Sequence, residues 1–215
     1  MLRVHPSNFS IEGFTERPTL DELAALGKEK KLPVYEDLGS GCLISFAPQG
    51  LHSEHPAGES LAAGADVISI SGDKMLGGPQ AGIIAGKRAW IDKLRKRPLM
   101  RAFRCDKVTL ALLEGTLRQY LKPGQAIERL PALAMLARSA ADLEPVARDL
   151  ARELREMGWP AEAVEAEAQP GGGSLPGVMV PSRAVRIATP ARGLGADALA
   201  EALRKAPDPV VARRH

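Results

Sequence analysis

The sequence contains little cysteine: Cys42 and Cys105 are the only two in 215 residues. This pair gives no disulfide framework and no metal-ligand spacing, and it fits a reducing compartment. Long apolar runs are also missing, because stretches such as CLISFA at 42–47 are far too short to span a bilayer. The N-terminal MLRVHPSNFS lacks the charged and then apolar layout of a secretory signal. We therefore expect a cytoplasmic protein with no membrane partner.

A strong net charge is absent as well. The formal net charge is +3, which is mild and selects no class of partner by itself. Hydrophobic residues make up 45% of the chain, and this content is sufficient for a buried core in one large domain or two small ones. The composition therefore predicts a globular fold.

Strand-like and helical patterns alternate along the first half of the chain. LRVHP, LPVYEDLGS and DVISISG have the apolar or β-branched character of strands, and the segments 19–31 and 58–65 separate them with helical patterns. Thr19 and Glu22 have the spacing of a capping box at the start of the first helix. The alternation predicts an α/β fold with a mostly parallel sheet and crossover helices. A further strand at 82–87, a basic helix at 88–97 and a long helix after Asp106 follow.

The pattern changes from residue 122 onward. A helix is predicted over 139–157, a strand over RAVRIAT and a final helix over ADALAEALRKA. This α+β arrangement is typical of a smaller second domain. We predict a large α/β domain portion over 1–128 and a small C-terminal α+β domain over 129–215.

Lys74 lies in ISGDKMLGGPQAG, between an apolar run and a glycine-rich loop. Ligands of open α/β sheets bind at the carboxyl ends of the strands, where both YED and SISGDK are predicted to lie. A lysine in this position either grips a phosphate or forms a Schiff base with a carbonyl cofactor. A phosphate-binding P-loop is excluded, because the positions that it requires around Gly86 and Lys87 hold Ala81 and Arg88.

The Schiff-base hypothesis predicts partners for Lys74. Pyridoxal phosphate (PLP) needs a carboxylate at its ring nitrogen, and Asp37 at the end of its strand is placed for that role. Taken alone, Asp37 is equally explained as a helix cap or an ion-pair partner. Ser71, three residues before the lysine, could bond the cofactor phosphate, and Asn8 could bond the ring hydroxyl. Ser71 and Asn8 are equally residues that form turns, so both interpretations stay open for them.

Three other segments have simpler explanations. HSEH at 52–55 has metal-ligand residue types, but no distant cluster supports it, so a surface loop is expected and no metal site. The stretch 87–104 holds eight basic residues against one acid, which a solvated helix face largely explains, with RNA or phosphate contact as the alternative. GGGSLPG at 171–177 predicts a flexible turn between two strands, or a segment that approaches a substrate.

Four blocks of the chain resemble one known family, the bacterial selenocysteine synthases, or L-seryl-tRNA(Sec) selenium transferases, which are PLP enzymes of fold type I. SGDK followed by LGGPQAG is the most specific part, since many enzymes of this fold share only the aspartate and the lysine. The blocks are HPSNFSIEGFTE, LPVYEDLGSG, GADVISISGDKMLGGPQAGIIAGK and RAFRCDKVTLALLEGTLRQYL.

The resemblance implies a reaction and a set of partners. PLP would be bound to Lys74, the serine carried by tRNA(Sec) would lose its hydroxyl to give an aminoacrylate, and selenophosphate would then supply selenium. Arg101 and Arg104 match the family arginines that hold this donor, and Asp73 matches a family acid beside the lysine. Planar guanidinium groups suit phosphate oxygens, which agrees with that role. A homo-oligomer built from dimers is implied as well.

The resemblance also implies a fragment. Family members are about twice this length, so we expect the chain to be the C-terminal part of one, truncated at both ends and without the tRNA-binding region. Two alternatives stay open at this point. One is a related fold-type I lyase that acts on an amino acid or amino sugar, and the other is an inactive module for oligomerisation or RNA contact.

Overall fold

A computed structural model describes residues 1–6, 11, 13–47, 55–122, 124–175 and 177–214. The chain divides into two units by packing. The first unit is Met1–Ala137 together with Gln169–Met179, and the second is Arg138–Ala168 together with Val180–His215. The domain boundary after residue 128 stays a prediction from the sequence.

The first unit contains a four-stranded sheet. Its strands lie in the order β1 (Leu2–Val4), β2 (Tyr35–Asp37), β3 (Val67–Ser71) and β4 (Gly82–Gly86). The pairs β1–β2 and β2–β3 are parallel, and β4 runs antiparallel to β3. The mostly parallel α/β sheet is therefore confirmed. The last strand reverses because the connection 72–81 is shorter than the roughly dozen residues that a parallel crossover needs.

Local sequence signals explain where the helices of the first unit begin. Helix α1 (Leu20–Lys30) follows Thr19, whose side chain forms the predicted capping box with Glu22. Helix α5 (Lys107–Gln119) follows Asp106, whose carboxylate accepts bonds from the Val108 and Thr109 amides. The other helices are α2 (Ala57–Ala62), α3 (Arg88–Arg95), α4 (Leu99–Ala102), α6 (Gln125–Arg129) and α7 (Pro131–Ala137). The short helices α4, α6 and α7 carry no such signal and were not predicted.

The core of the first unit lies on one face of the sheet. Ile68 and Ile70 of β3 point to this face and pack with Leu20 of α1 and Ala57 of α2. Side chains alternate along a strand, so Ser69 and Ser71 point to the opposite face, as do Tyr35 and Asp37 in register with β3. The candidate residues of β2 and β3 are thus on the face away from this core.

The second unit is a hairpin with two helices. Helix α8 (Ala140–Glu156) precedes strand β5 (Ala161–Ala168), which pairs antiparallel with β6 (Val180–Ile187) before helix α9 (Ala196–Arg204). The turn expected at 171–177 implied a strand before it, but no range was predicted for β5, although AEAVEAEA alternates with the period of a strand. Within the described residues, every helix is too short or too polar to cross a membrane.

One polar cluster is buried on the core face of the sheet. Glu36 is only 3% exposed, and the Arg3 guanidinium Nη1 lies 2.7 Å from its Oε1. His55 Nε2 lies 3.7 Å from Glu36 Oε2 and 2.9 Å from the Ser60 hydroxyl. Burial alone would raise the pKa of Glu36, but His55, Ser60 and Arg3 outweigh it and hold that pKa below its usual value. The Glu36 carboxylate raises the pKa of His55 against the opposing effect of burial.

These opposite pKa shifts predict the pH range over which the His55–Glu36 pair stabilises the folded protein. The raised pKa of His55 adds stability that is fully present below its ordinary value of 6.5 and is lost as the pH rises through the raised value. The lowered pKa of Glu36 adds stability that is present above 4.5 and is lost as the pH falls. We expect His55→Gln to lower the free energy of unfolding by up to about 1 kcal/mol near pH 5.5.

Urea unfolding of the wild type and of His55→Gln at several pH values measures this difference. It should shrink as the pH rises past the raised pKa of His55. A difference that is constant from pH 5.5 to pH 9 would contradict the charged pair.

Candidate active site

The carboxyl ends of β2 and β3 lie side by side. Asp37 is the last residue of β2 and Ser71 the last residue of β3, and the parallel register pairs Asp37 with Ser69. The end of β1 is adjacent, since the His5 amide donates to the Asp37 carbonyl over 2.8 Å. Lys74 is the third residue after the end of β3. The sheet therefore brings the predicted aspartate and the predicted lysine loop to one edge, where ligands of such sheets bind.

Direct backbone contacts join the loop after β2 to the loop after β3. The Met75 amide donates to the Ser40 carbonyl over 2.9 Å. Gly41 has φ +75°, and a Cβ at this position would lie 2.1 Å from the Ser71 carbonyl oxygen. Only glycine fits there, because any side chain would collide with rigid backbone. The position of the Lys74 loop is thus fixed against the segment that follows Asp37.

The glycine loop around Lys74 is also closed by its own backbone. The Gly72 amide donates to the Ala81 carbonyl over 2.8 Å, and the Gly78 amide donates to the Gly72 carbonyl over 2.7 Å. Met75 and Leu76, directly after the lysine, are 3% and 0% exposed. These two anchors hold the loop, and Lys74 itself is half-buried.

Helix α5 supports the same loop from its far end. The Tyr120 hydroxyl, just beyond the helix, donates to the Leu76 carbonyl over 2.8 Å. Burial raises the pKa of the Tyr120 phenol, which keeps it protonated as a donor. A Cβ on Gly78 would lie 3.3 Å from side-chain atoms of Thr116, so the helix packs a side chain closely against the backbone of the loop. Neither Tyr120 nor Thr116 was singled out in the sequence.

A chain of hydroxyl groups holds the Asp37 carboxylate. The Ser69 hydroxyl donates to Asp37 Oδ1 over 2.7 Å, and the Tyr35 hydroxyl lies 2.7 Å from Ser69 Oγ. Because the single Ser69 proton points to the carboxylate, Tyr35 is the donor to Ser69. Sequence reasoning missed both residues. Their signal was the strand period, which puts position 35 on the same face as 37.

One wall beside Lys74 comes from a distant part of the chain. Gly173, in the segment between β5 and β6, belongs to the first unit and is buried. Its backbone lies against the end of the Lys74 side chain, since a Cβ on Gly173 would be 2.6 Å from both Cε and Nζ. The predicted turn does lie between two strands, and it also reaches the candidate site.

The remaining predicted site residues lie as follows. Ser71 is half-buried and Asp73 is exposed in the turn before Lys74, while Asn8 lies outside the described residues.

The two predicted arginines lie around the end of helix α4. Arg101 is in α4, which ends at Ala102, and Arg104 follows that end; both are exposed. The two arginines thus share no helical face, so spacing within a helix does not support their pairing. Among the described residues, the hydrogen bonds that join the two loops involve neither arginine.

The mostly parallel sheet with its connecting helices and strand-end loops defines an α/β protein. One solved structure, of D-glucosaminate-6-phosphate ammonia-lyase, is similar over 100% of this chain and 48% of its own, with a TM-score of 0.59 and 20% identity. At that identity the likeness concerns the fold alone. The model of one family, described as SelA: L-seryl-tRNA selenium transferase, matches residues 1–215, and the chain belongs to this family.

Curated relatives agree with this membership. The chain is 44% identical over 217 residues to the L-seryl-tRNA(Sec) selenium transferase of Geobacter sulfurreducens, which covers 99% of the chain and 46% of the relative. The relative of the same name from Klebsiella pneumoniae is 46% identical, with 99% and 47% covered. That from Nitratidesulfovibrio vulgaris is 48% identical over 191 residues, with 87% and 41% covered. The chain therefore spans about half the length of the curated relatives it matches.

The Tyr120 hydrogen bond gives a testable prediction for the site. Tyr120→Phe removes the donor to the Leu76 carbonyl, and we expect a loss of about 1 kcal/mol in the free energy of unfolding. Hydrogen exchange at the Met75, Gly77 and Gly78 amides should quicken, because the loop loses its support from α5. Tyr35→Phe is the matched control, since its hydroxyl bonds a side chain of the sheet and not this loop. Equal exchange rates in the two variants would contradict the role of Tyr120.

Proposed function

We propose that this chain carries the lysine and aspartate of a PLP site in an enzyme that converts seryl-tRNA(Sec) to selenocysteinyl-tRNA(Sec) with selenophosphate. One observation supports this most strongly: Lys74 follows β3 in a glycine loop that is bonded to the loop after Asp37. The family membership of the whole chain indicates which reaction such a site serves. The relatives' name supplies seryl-tRNA(Sec) as the substrate, and selenophosphate as the donor is our own proposal.

The residues present fit PLP. A carboxylate at a strand end is the group that holds a proton on the ring nitrogen, and Ser69 occupies only Oδ1 of Asp37. Among the described residues no hydrogen bond reaches Asp37 Oδ2. Lys74 is half-buried, and its amine packs against the backbone of Gly173, where a Cβ would lie 2.6 Å from Nζ. The arrangement offers an amine and a carboxylate at one sheet edge.

Each residue of the site has a proposed role. The Lys74 amine binds the aldehyde of the cofactor, and the Asp37 carboxylate keeps the ring nitrogen protonated. The Ser71 hydroxyl bonds the phosphate and the Asn8 side chain bonds the ring hydroxyl. Bound in this way, PLP supplies an electron sink for removing the hydroxyl group of the serine substrate. For Asp73, exposed in the turn before the lysine, we propose the transfer of a proton at the same edge.

Arginine is the residue best suited to the selenium donor. Arg101 and Arg104 are exposed and lie in the stretch 87–104, which is strongly basic. A guanidinium group forms paired hydrogen bonds with phosphate oxygens, whereas an ammonium group offers only a point charge. We propose that these two arginines bind selenophosphate, as the family resemblance implies.

The assignment of Lys74 is tested by trapping the cofactor on the chain. After incubation with PLP and borohydride, we expect a phosphopyridoxyl group on the Lys74 peptide by mass spectrometry, together with near-visible absorbance before reduction. Lys74→Arg should lose both signals. Lys87→Arg is the control, because Lys87 lies at the end of the same strand pair but bonds Asp66. Absorbance that persists in Lys74→Arg would contradict the assignment, and formation of selenocysteinyl-tRNA(Sec) by the wild type tests the reaction.

The donor site is tested by titrating selenophosphate and seryl-tRNA(Sec) separately. We expect Arg101→Lys and Arg104→Lys each to weaken selenophosphate binding about tenfold, because charge-assisted paired bonds are lost. Binding of tRNA should change little. Arg97→Lys in the same basic stretch is the control and should affect donor binding little. A loss confined to tRNA binding would place the two arginines on an RNA surface.

A further inference from the structure

The segment Gln169–Met179 packs within the first unit, although the strands on either side of it form the hairpin of the second. Its ends are tied together, since the Gln169 amide Nε2 donates to the Met179 sulfur over 3.3 Å. The Val178 amide donates to the Leu175 carbonyl over 3.2 Å, and Leu175 is 2% exposed at a left-handed φ of 48°. The segment is therefore a folded element with a buried anchor.

Gly173 is the point at which this segment meets the candidate site. It has φ +85°, and its added Cβ would lie 2.6 Å from Lys74 Cε and Nζ and 3.1 Å from Cδ. Real Cβ atoms are not found at such distances, so any side chain at 173 has to displace its neighbour. The neighbour is the flexible end of a lysine, which moves more readily than backbone. A side chain at 173 would therefore relocate the amine before it disturbed the fold.

We propose that Gly173 is a positioning residue for Lys74: the segment Gln169–Met179 forms a wall beside the amine, and the missing side chain at 173 keeps the amine in its place. The wall removes rotamers that a free lysine would populate, which lowers the entropy lost when a carbonyl compound binds there. The statement about PLP rests on the proposed function. The statement about the position of the amine rests only on the contact between Gly173 and Lys74.

Three glycines of the same segment give a matched set of variants. Gly173→Ala adds a Cβ against the lysine and strains a left-handed backbone. Gly177→Ala causes the same kind of backbone strain at φ +73°, with no atom within 4 Å of the new Cβ. Gly171→Ala adds a Cβ into open space. The difference between the first two variants therefore isolates the contact with Lys74 from the strain of the backbone.

The first measurement needs no cofactor. Lys74 is reductively methylated with formaldehyde and cyanoborohydride, and its rate is followed by peptide mass spectrometry relative to the exposed Lys28 of the same chain. We expect the ratio of the Lys74 methylation rate to the Lys28 methylation rate to rise severalfold in Gly173→Ala. The same ratio should stay at the wild-type value in Gly177→Ala and Gly171→Ala. Alkylation of the buried Cys42 shows whether a variant has unfolded. A ratio that rises equally in Gly173→Ala and Gly177→Ala, or in neither, overturns the proposal.

A variant with Gly173 intact covers the case in which Gly173→Ala does not fold. Leu175→Ala removes the buried anchor of the segment, and we expect it to raise the Lys74 ratio as well while Cys42 stays protected. An unchanged ratio in folded Leu175→Ala overturns the proposal, because the wall would then not depend on the segment.

The second measurement concerns PLP. Attachment to Lys74 should be roughly tenfold to a hundredfold slower in Gly173→Ala than in Gly177→Ala, since a displacement of about 1 Å has effects of that size on bond formation. If the wild type attaches no PLP, the proposed function fails, while the methylation ratios still decide the role of Gly173. If the wild type attaches PLP and the two variants do so equally, Gly173 does not position the amine for it.

Discussion

The candidate site depends on the contact between the backbone after β2 and the backbone after β3. Parallel strands place their carboxyl ends at one edge, but the loops that follow are free to diverge unless something joins them. Here the Met75 amide bonds the Ser40 carbonyl, and Gly41 lies so close to Ser71 that no Cβ fits. Asp37 precedes one partner of this contact and Lys74 precedes the other. A change in either loop would therefore alter the relation between the carboxylate and the amine.

Alternation along β2 gives two neighbouring carboxylates different environments. Glu36 points to the core face, where Arg3 of the adjacent strand and His55 neutralise it. Asp37 points to the opposite face, where neutral hydroxyl groups hold one of its oxygens. A charge buried in an apolar core needs a partner of opposite sign, whereas a carboxylate that is to act on a cofactor has to keep an oxygen available. The period of the strand alone thus gives the two acids of YED different faces of the sheet and different partners.

Much of the first unit could be predicted from sequence because its signals are local. The capping box of Thr19 and Glu22, the cap at Asp106 and the β-branched run of β3 each depend on a few adjacent residues. Lys74 and its glycine loop form a compact motif of the same kind, whereas Asp37 lies 37 positions earlier, and the roles of both residues in binding a cofactor stay predictions. The direction of β4 also followed from a local quantity, the length of the loop 72–81, but that length was not used when the strand was predicted.

What could not be predicted depends on contacts between distant residues. Tyr120 reaches Leu76 across 44 positions, and Gly173 reaches Lys74 from a segment between two strands of another unit. Nothing in the local pattern of a helix end or a glycine run specifies such a partner. The glycines illustrate the difference: Gly41 and Gly173 are required by what approaches them, whereas Gly177 has the same left-handed backbone beside open space. From sequence all three resemble ordinary turn residues, and only the packing around each distinguishes a site wall from a turn.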